Sequence, residues 1–151
     1  MGAGPDAADT ATAWPFSFRD EIRFSDLDTQ GHLNNVAFLV FVESARIAYA
    51  VSVAEPGAPP FGTQTDFTFM VVEVKIAYRS PGQFGETIET RLRPSSVGRS
   101  SFTTDFEMRV GERVLAEGYS VLVTYDPVAQ RSIPVPDRLR ARLIADGATQ
   151  R

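Results

Sequence analysis

The chemically capable side chains of this sequence crowd into one short stretch. Residues 26–35 read DLDTQGHLNN, which brings together two carboxylates, a glycine, the chain's single histidine and two asparagines. Asp28 is the residue with most to offer: a carboxylate can attack an electrophilic carbonyl as a nucleophile, or take a proton from water as a general base, and the residue types do not choose between them. The same Asp, Gly and Asn composition also serves a plain turn between two elements. What favours a site is the neighbourhood, because Asp28 and His32 stand just before a nearly charge-free helix, where free backbone amides face outward. His32 can orient a water or a substrate, or simply fill the turn; one histidine cannot build a histidine-rich metal site. Asp26 reads as a structural partner. Asn34 reads as the helix N-cap, and Asn35 pins the loop. Glu43, deep in the helix, needs a partner, either Arg46 or a backbone amide from the sheet.

The elements that must hold this turn follow from periodicity. Residues 14–25 carry Phe16, Phe18, Ile22 and Phe24 on one face, as one strand or two short pieces. Residues 36–51 form a helix apolar on almost every side, which a curved sheet must wrap; EPGAPP at 55–60 ends it. In 67–78 the alternation slips phase at Val71 and Val72, predicting a bulge. Strands are expected over 86–93, 99–110 and 113–125, with a hairpin turn at Gly111 and Glu112, and a short amphipathic helix over 136–144. The arrangement is α+β: one long antiparallel sheet around a central helix, with edges that dimerisation would protect. Residues 1–13 are expected as a disordered tail, 14–146 as one domain and 147–151 as a disordered end.

Composition narrows the class. With 151 residues and 43% hydrophobic content the chain suffices for one domain with a real core. A formal charge of −4 and a pI near 5.0 give no attraction to nucleic acid or to an anionic membrane. The absence of cysteine removes disulfides, thiol nucleophiles and thiolate zinc sites, and agrees with a cytoplasmic setting. Apolar runs fall short of a bilayer span, and no signal peptide is apparent.

The motifs RFSDLDTQGHLNN with FVESAR, VEVKIAYRSPGQFGETIET, SSFTTDFEMRVGERVLAEGYSVLVTYD and RSIPVPDRLRARL, in that order, resemble the hotdog-fold acyl-CoA thioesterases of the 4-hydroxybenzoyl-CoA thioesterase type. The resemblance spans roughly 18–144 and implies a hotdog fold, acyl-CoA as substrate, no cofactor, and a homodimer, also paired into homotetramers, with the active site at the dimer interface. It implies Asp28 as the catalytic carboxylate and the Gly31 amide as the group polarising the thioester carbonyl. Some hotdog thioesterases carry their carboxylate on the helix, which makes Glu43 a further catalytic candidate beside His32. The acyl group is expected against Asn34, Asn35, Val36, Phe38, Leu39, Phe61 and Phe67, and CoA against Arg79, Arg99, Ser100 and Ser101. Acyl-carrier protein in place of CoA, and a non-catalytic acyl-CoA binding protein, are the competing readings.

Overall fold

Alternating apolar residues make strands where one side of the chain can be buried, and five long segments meet that condition. A computed structural model describes residues 13–54 and 68–151. The strands β1 (Phe16–Glu21), β2 (Thr68–Tyr78), β3 (Thr87–Val97), β4 (Ser101–Val110) and β5 (Arg113–Asp126) form one sheet in the order β1-β3-β4-β5-β2. Every neighbouring pair among these five is antiparallel. Helix α1 (Asn35–Val53) packs on one face, β6 (Arg131–Ser132) pairs with β5, α2 (Asp137–Ala145) follows, and β7 (Thr149–Gln150) pairs with β3. The α+β hotdog architecture expected from the sequence is present.

The core lies between α1 and the sheet. Phe38, Phe41, Val42, Ala45, Tyr49 and Val53 recur at helical spacing and are buried, facing the inward residues Ile88, Leu92, Phe102, Phe106 and Leu122. Each large side chain buried in this way contributes about 1.5–3 kcal/mol. The other face of the sheet is a ladder of charges, with Arg93 3.2 Å from Asp105 and Arg91 2.9 Å from Glu89. Only one stripe of α1 is covered, so Val36, Leu39, Val40 and Val51 remain exposed. By length and mean hydropathy, 1.7 over its apolar window, this helix could span a bilayer, contrary to the expectation from run lengths. Its buried stripe against the sheet is that of a core helix.

Three further details differ from the sequence reading. Strand β1 stops at Glu21, and Phe24–Asp26 forms a single 3-10 turn, because Asp26 captures the Arg23 amide. Strand β3 runs on through Pro94 to Val97, with the register shifting between Pro94 and Ser96, where a residue lacking an N–H leaves no orphan donor. The chain end expected to be disordered is paired: Thr149 and Gln150 lie parallel to Ser96 and Val97, and the Arg151 amide donates to the Val97 carbonyl at 2.9 Å. The shift in β2 falls between Val71 and Glu73, as the phase slip predicts. Apart from Ala13, the tail expected over 1–13 lies outside the described residues, as do 55–60, Phe61 and Phe67.

Candidate active site

The turn before α1 is built on Asp26. Its carboxylate accepts from the Arg23 backbone N–H at 2.8 Å and from Arg23 Nε and Nη2 at 3.3 and 3.1 Å. Burial alone would raise the Asp26 pKa, but the hydrogen bonds and the charge of Arg23 outweigh it and hold the carboxyl below its ordinary value. The Asp26 carbonyl also accepts from the Asn34 amide at 2.8 Å, so this residue ties the entrance of the turn to its exit.

Asp28 sits in the small hairpin that those ties enclose. Its amide donates to the His32 carbonyl at 2.9 Å, the Gly31 amide returns to the Asp28 carbonyl at 3.0 Å, and Leu27 bridges Leu33. Gly31 closes the loop at φ +78°, where a side chain would be strained. Asp28 Oδ1 accepts from the Gln30 amide at 2.8 Å and, at 3.4 Å, from that of His32. Oδ2 has no hydrogen-bond partner among the described residues, and Asp28 is exposed. The result is a carboxylate anchored by one oxygen and open at the other.

Backbone donors lie beside it. Asn34 caps α1, its Oδ1 accepting from the Val36 amide at 2.8 Å, and the Phe38 amide bonds the Asn34 carbonyl at 3.3 Å. That leaves the first-turn amides of Asn35 and Ala37 unpaired among the described residues, at the positive end of a 19-residue helix. The Gly31 amide, expected to polarise a carbonyl, is instead committed to the turn. The open donors are those of the helix itself.

A second loop braces the turn. The Leu33 amide donates to the Gly82 carbonyl at 2.8 Å, and His32 bridges Gln83. A Cβ on Gly82 would come within 2.8 Å of Ile22 Cδ1, so glycine permits the close approach. The Tyr78 hydroxyl donates to the Asn35 carbonyl at 3.0 Å, joining the end of β2 to the start of α1. Phe24 and Phe84, 80% and 64% exposed, meet edge to face at 6.5 Å beside the turn. Nothing in the residue pattern announces this aromatic pair: the even spacing of Phe24 with Ile22 suggests a strand, and Phe84 falls between the expected elements.

The structure groups Asp28, Gly31, His32, Asn34, Asn35 and Val36 at one corner and separates the rest. Phe38 is core, 3% exposed and packed on Tyr78, so in this chain it does not offer an open pocket wall; Leu39 is exposed. Glu43 is exposed about 13 Å along the helix from Asn34 and makes no hydrogen bond to Arg46 or the sheet; its charge acts on Arg46, the partner expected, only through space. Arg79 pairs with Glu117 at 2.9 Å in a hollow on the charged face of the sheet. Arg99, Ser100 and Ser101 lie at the other end of the strands, where the Ser100 carbonyl accepts from the Thr124 amide at 2.9 Å and Ser101 Oγ accepts from Arg151 at 3.0 Å. An 11-residue strand separates the two ends by roughly 30 Å within one chain.

Comparison with known proteins gives this corner its context. A family model described as the thioesterase-like superfamily matches residues 22–143. The chain belongs to the thioesterase-like superfamily. The protein is thus an enzyme of the thioester hydrolase class. The thioesterase is 30% identical to the Thermus thermophilus thioesterase whose structure was solved with coenzyme A and Zn, with a TM-score of 0.75 over 86% of this chain and 98% of that one. A Jannaschia thioesterase superfamily structure aligns at TM-score 0.80 and 27% identity, covering 100% of this chain and 99% of that one. The 1,4-dihydroxy-2-naphthoyl-CoA hydrolase of Synechococcus elongatus is 23% identical over 128 residues, 83% of this chain and 92% of that protein.

Proposed function

We propose that this thioesterase hydrolyses an acyl-CoA thioester, with Asp28 as the catalytic carboxylate. The observation that carries the reading is the half-anchored Asp28 at the helix N-terminus: Oδ1 is held by the Gln30 amide and Oδ2 is free. As nucleophile, Oδ2 adds to the thioester carbonyl carbon and expels CoA thiolate, leaving a mixed anhydride for water to cleave; as base, it takes a proton from the water that attacks. Either route develops negative charge on the carbonyl oxygen. The unpaired amides of Asn35 and Ala37 are the donors suited to it, and one such donor is typically worth about 2.7–4 kcal/mol. His32 stays a candidate for orienting the water.

A homodimer completes the reading. Strand β2 is a sheet edge, 11 residues long, with Met70, Val72, Val74 and Tyr78 exposed, and such an edge invites pairing with a second copy. A two-fold antiparallel pairing of two β2 strands sets the Tyr78 end of one, beside Asp28, against the Thr68 end of the other. Thr68 is opposite Tyr125, and β4 starts next to it at Ser101, opposite Val123. The 99–101 turn of a second copy is therefore better positioned than the chain's own to reach CoA. Aryl thioesters head the candidate acyl groups, because a relative is named for one and because Phe24 and Phe84 offer an aromatic face beside the turn. A cytoplasmic setting belongs to the same proposal.

The test is thiol release from a panel of aryl, short and long acyl-CoAs by the wild type and by Asp28→Asn. Turnover of one member that collapses in the variant supports the assignment. Acyl-CoA binding without turnover of any member would overturn the catalytic reading.

A further inference from the structure

The turn between β3 and β4 spends its carbonyls on the fold and keeps donors free. The Gly98 amide closes it, donating to the Ser101 carbonyl at 2.7 Å. The Gly98 carbonyl accepts from Arg140 Nη2 at 2.8 Å, the Arg99 carbonyl from the Val135 amide at 2.8 Å, and the Ser100 carbonyl from the Thr124 amide at 2.9 Å. The amides of Arg99 and Ser100 and the Ser100 hydroxyl have no hydrogen-bond partner among the described residues. Strand β7 brings one more donor. Its pairing with β3 carries on into the Arg151 amide, which donates to the Val97 carbonyl at 2.9 Å, and Arg151 Nη2 reaches Ser101 Oγ at 3.0 Å. A Cβ on Gly98 would stand 3.2 Å from that Nη2, so glycine leaves room for the guanidinium over the turn.

Arg99, Arg140 and Arg151 thus surround one turn, and none of them pairs with a carboxylate among the described residues. Arginines elsewhere on the sheet do pair, as Arg91, Arg93 and Arg113 show. Of the acidic side chains on the adjoining segments, Asp126 is turned to the amides of Val128 and Ala129, and Asp137 is exposed at the start of α2. Uncompensated guanidiniums beside free turn amides make an anion receptor, here in a chain of net charge −4. We propose that the turn, Arg140 and Arg151 hold the ribose phosphate monoester of coenzyme A, and that Arg151 sets the affinity. A monoester near neutral pH carries close to two charges and three acceptor oxygens, whereas each phosphate of a diester bridge carries one charge. Three guanidiniums without counter-charge suit the former. The proposal rests on the acyl-CoA reading and its dimer, which brings this turn toward Asp28 of the partner subunit. It adds residues of α2 and β7 to that reading and a reason to prefer CoA to a carrier protein, whose pantetheine arm lacks a monoester.

The experiment titrates coenzyme A and dephospho-coenzyme A calorimetrically into the wild type, Arg151→Gln and Arg151→Lys, all as the full chain. Glutamine keeps an N–H for Ser101 Oγ and loses the charge, whereas lysine keeps both. Coenzyme A should bind the wild type about tenfold or more tightly than dephospho-coenzyme A does, and Arg151→Gln should remove most of that difference. Arg151→Lys should retain coenzyme A affinity to within about threefold. For the acyl group turned over best, the preference for the CoA thioester over its N-acetylcysteamine counterpart, as a ratio of kcat/KM, should fall with Arg151→Gln through KM rather than kcat. A residue that only braces the turn predicts like behaviour for glutamine and lysine. Losses from dephosphorylation and from Arg151→Gln that simply add would overturn the proposal, as would equal binding of the two coenzymes to the wild type. Inorganic phosphate binding as tightly as coenzyme A would make this a free-phosphate site and overturn the nucleotide assignment. If the wild type hydrolyses no thioester while the titrations behave as expected, the receptor stands and the hydrolase reading falls.

Discussion

Asp26 is 8% exposed and takes three hydrogen bonds from Arg23, whereas Asp28, two residues later, is exposed and engages a single oxygen. The backbone turns between them, so the same side chain is delivered once to the inside of the corner and once to its rim. A carboxylate with both oxygens engaged and its charge matched by a guanidinium is a poor nucleophile and a poor base. One fixed by Oδ1 alone keeps a lone pair for chemistry and loses little entropy in using it. The contrast teaches that activity at such a turn depends on which carboxylate the fold leaves incompletely satisfied.

Substitution is the most direct way to break this comparison. Asp28→Asn keeps a side-chain oxygen for the Gln30 amide and removes the reactive one, so turnover should fall about 10²–10⁴-fold. Its denaturant midpoint should stay within about 0.5 kcal/mol of wild type. Asp26→Ala should do the reverse, costing about 1.5–3 kcal/mol in a urea melt as its charged hydrogen bonds disappear, with the folded fraction still turning over substrate. Equal effects of the two variants on stability and on turnover would erase the distinction drawn here.

Much of this was legible in the residues, and the reason is local. Asn34 could be read as a cap because capping needs only a side-chain oxygen two residues before an amide, and the bulge in β2 showed as a slip in alternation. The commitment of the Gly31 amide was not legible. It depends on the hairpin closing between Asp28 and His32, a geometry that the pattern of residue types leaves free. The pairing of Thr149 and Gln150 with β3 was hidden for a similar reason: Gly147 turns the chain at φ +113° and sends it back along a distant strand, a contact that no periodicity announces. The placement of Arg99 far from Asp28 follows from strand length and topology rather than from motif order.

Acid sharpens the contrast between the two aspartates. The folded-state pKa of Asp26 lies below its unfolded value, near 3.9, so its contribution to stability is complete above that pH and is lost as pH falls through the folded pKa. The wild-type stability curve should therefore drop below about pH 4 more steeply than that of Asp26→Asn, which has no carboxylate to protonate there. Melting temperatures taken every half unit of pH would check it, and parallel acid limbs would remove Asp26 from the account.

The smallest effect expected concerns the cap between the turn and the helix. Asn34→Ala frees the Val36 amide and should cost about 1 kcal/mol, read from the urea midpoint. Because the backbone bonds of the Asn34 amide to Asp26 and of the Phe38 amide to the Asn34 carbonyl survive the change, the helix start stays in place. Its open amides keep their aim at the rim where Asp28 stands, so turnover should fall less than about tenfold, well short of the loss for Asp28→Asn. A loss as large as that of Asp28→Asn would mean that Asn34 itself touches the reacting atoms, and the division between a supporting and a reacting side of this corner would have to be redrawn one residue further along the chain.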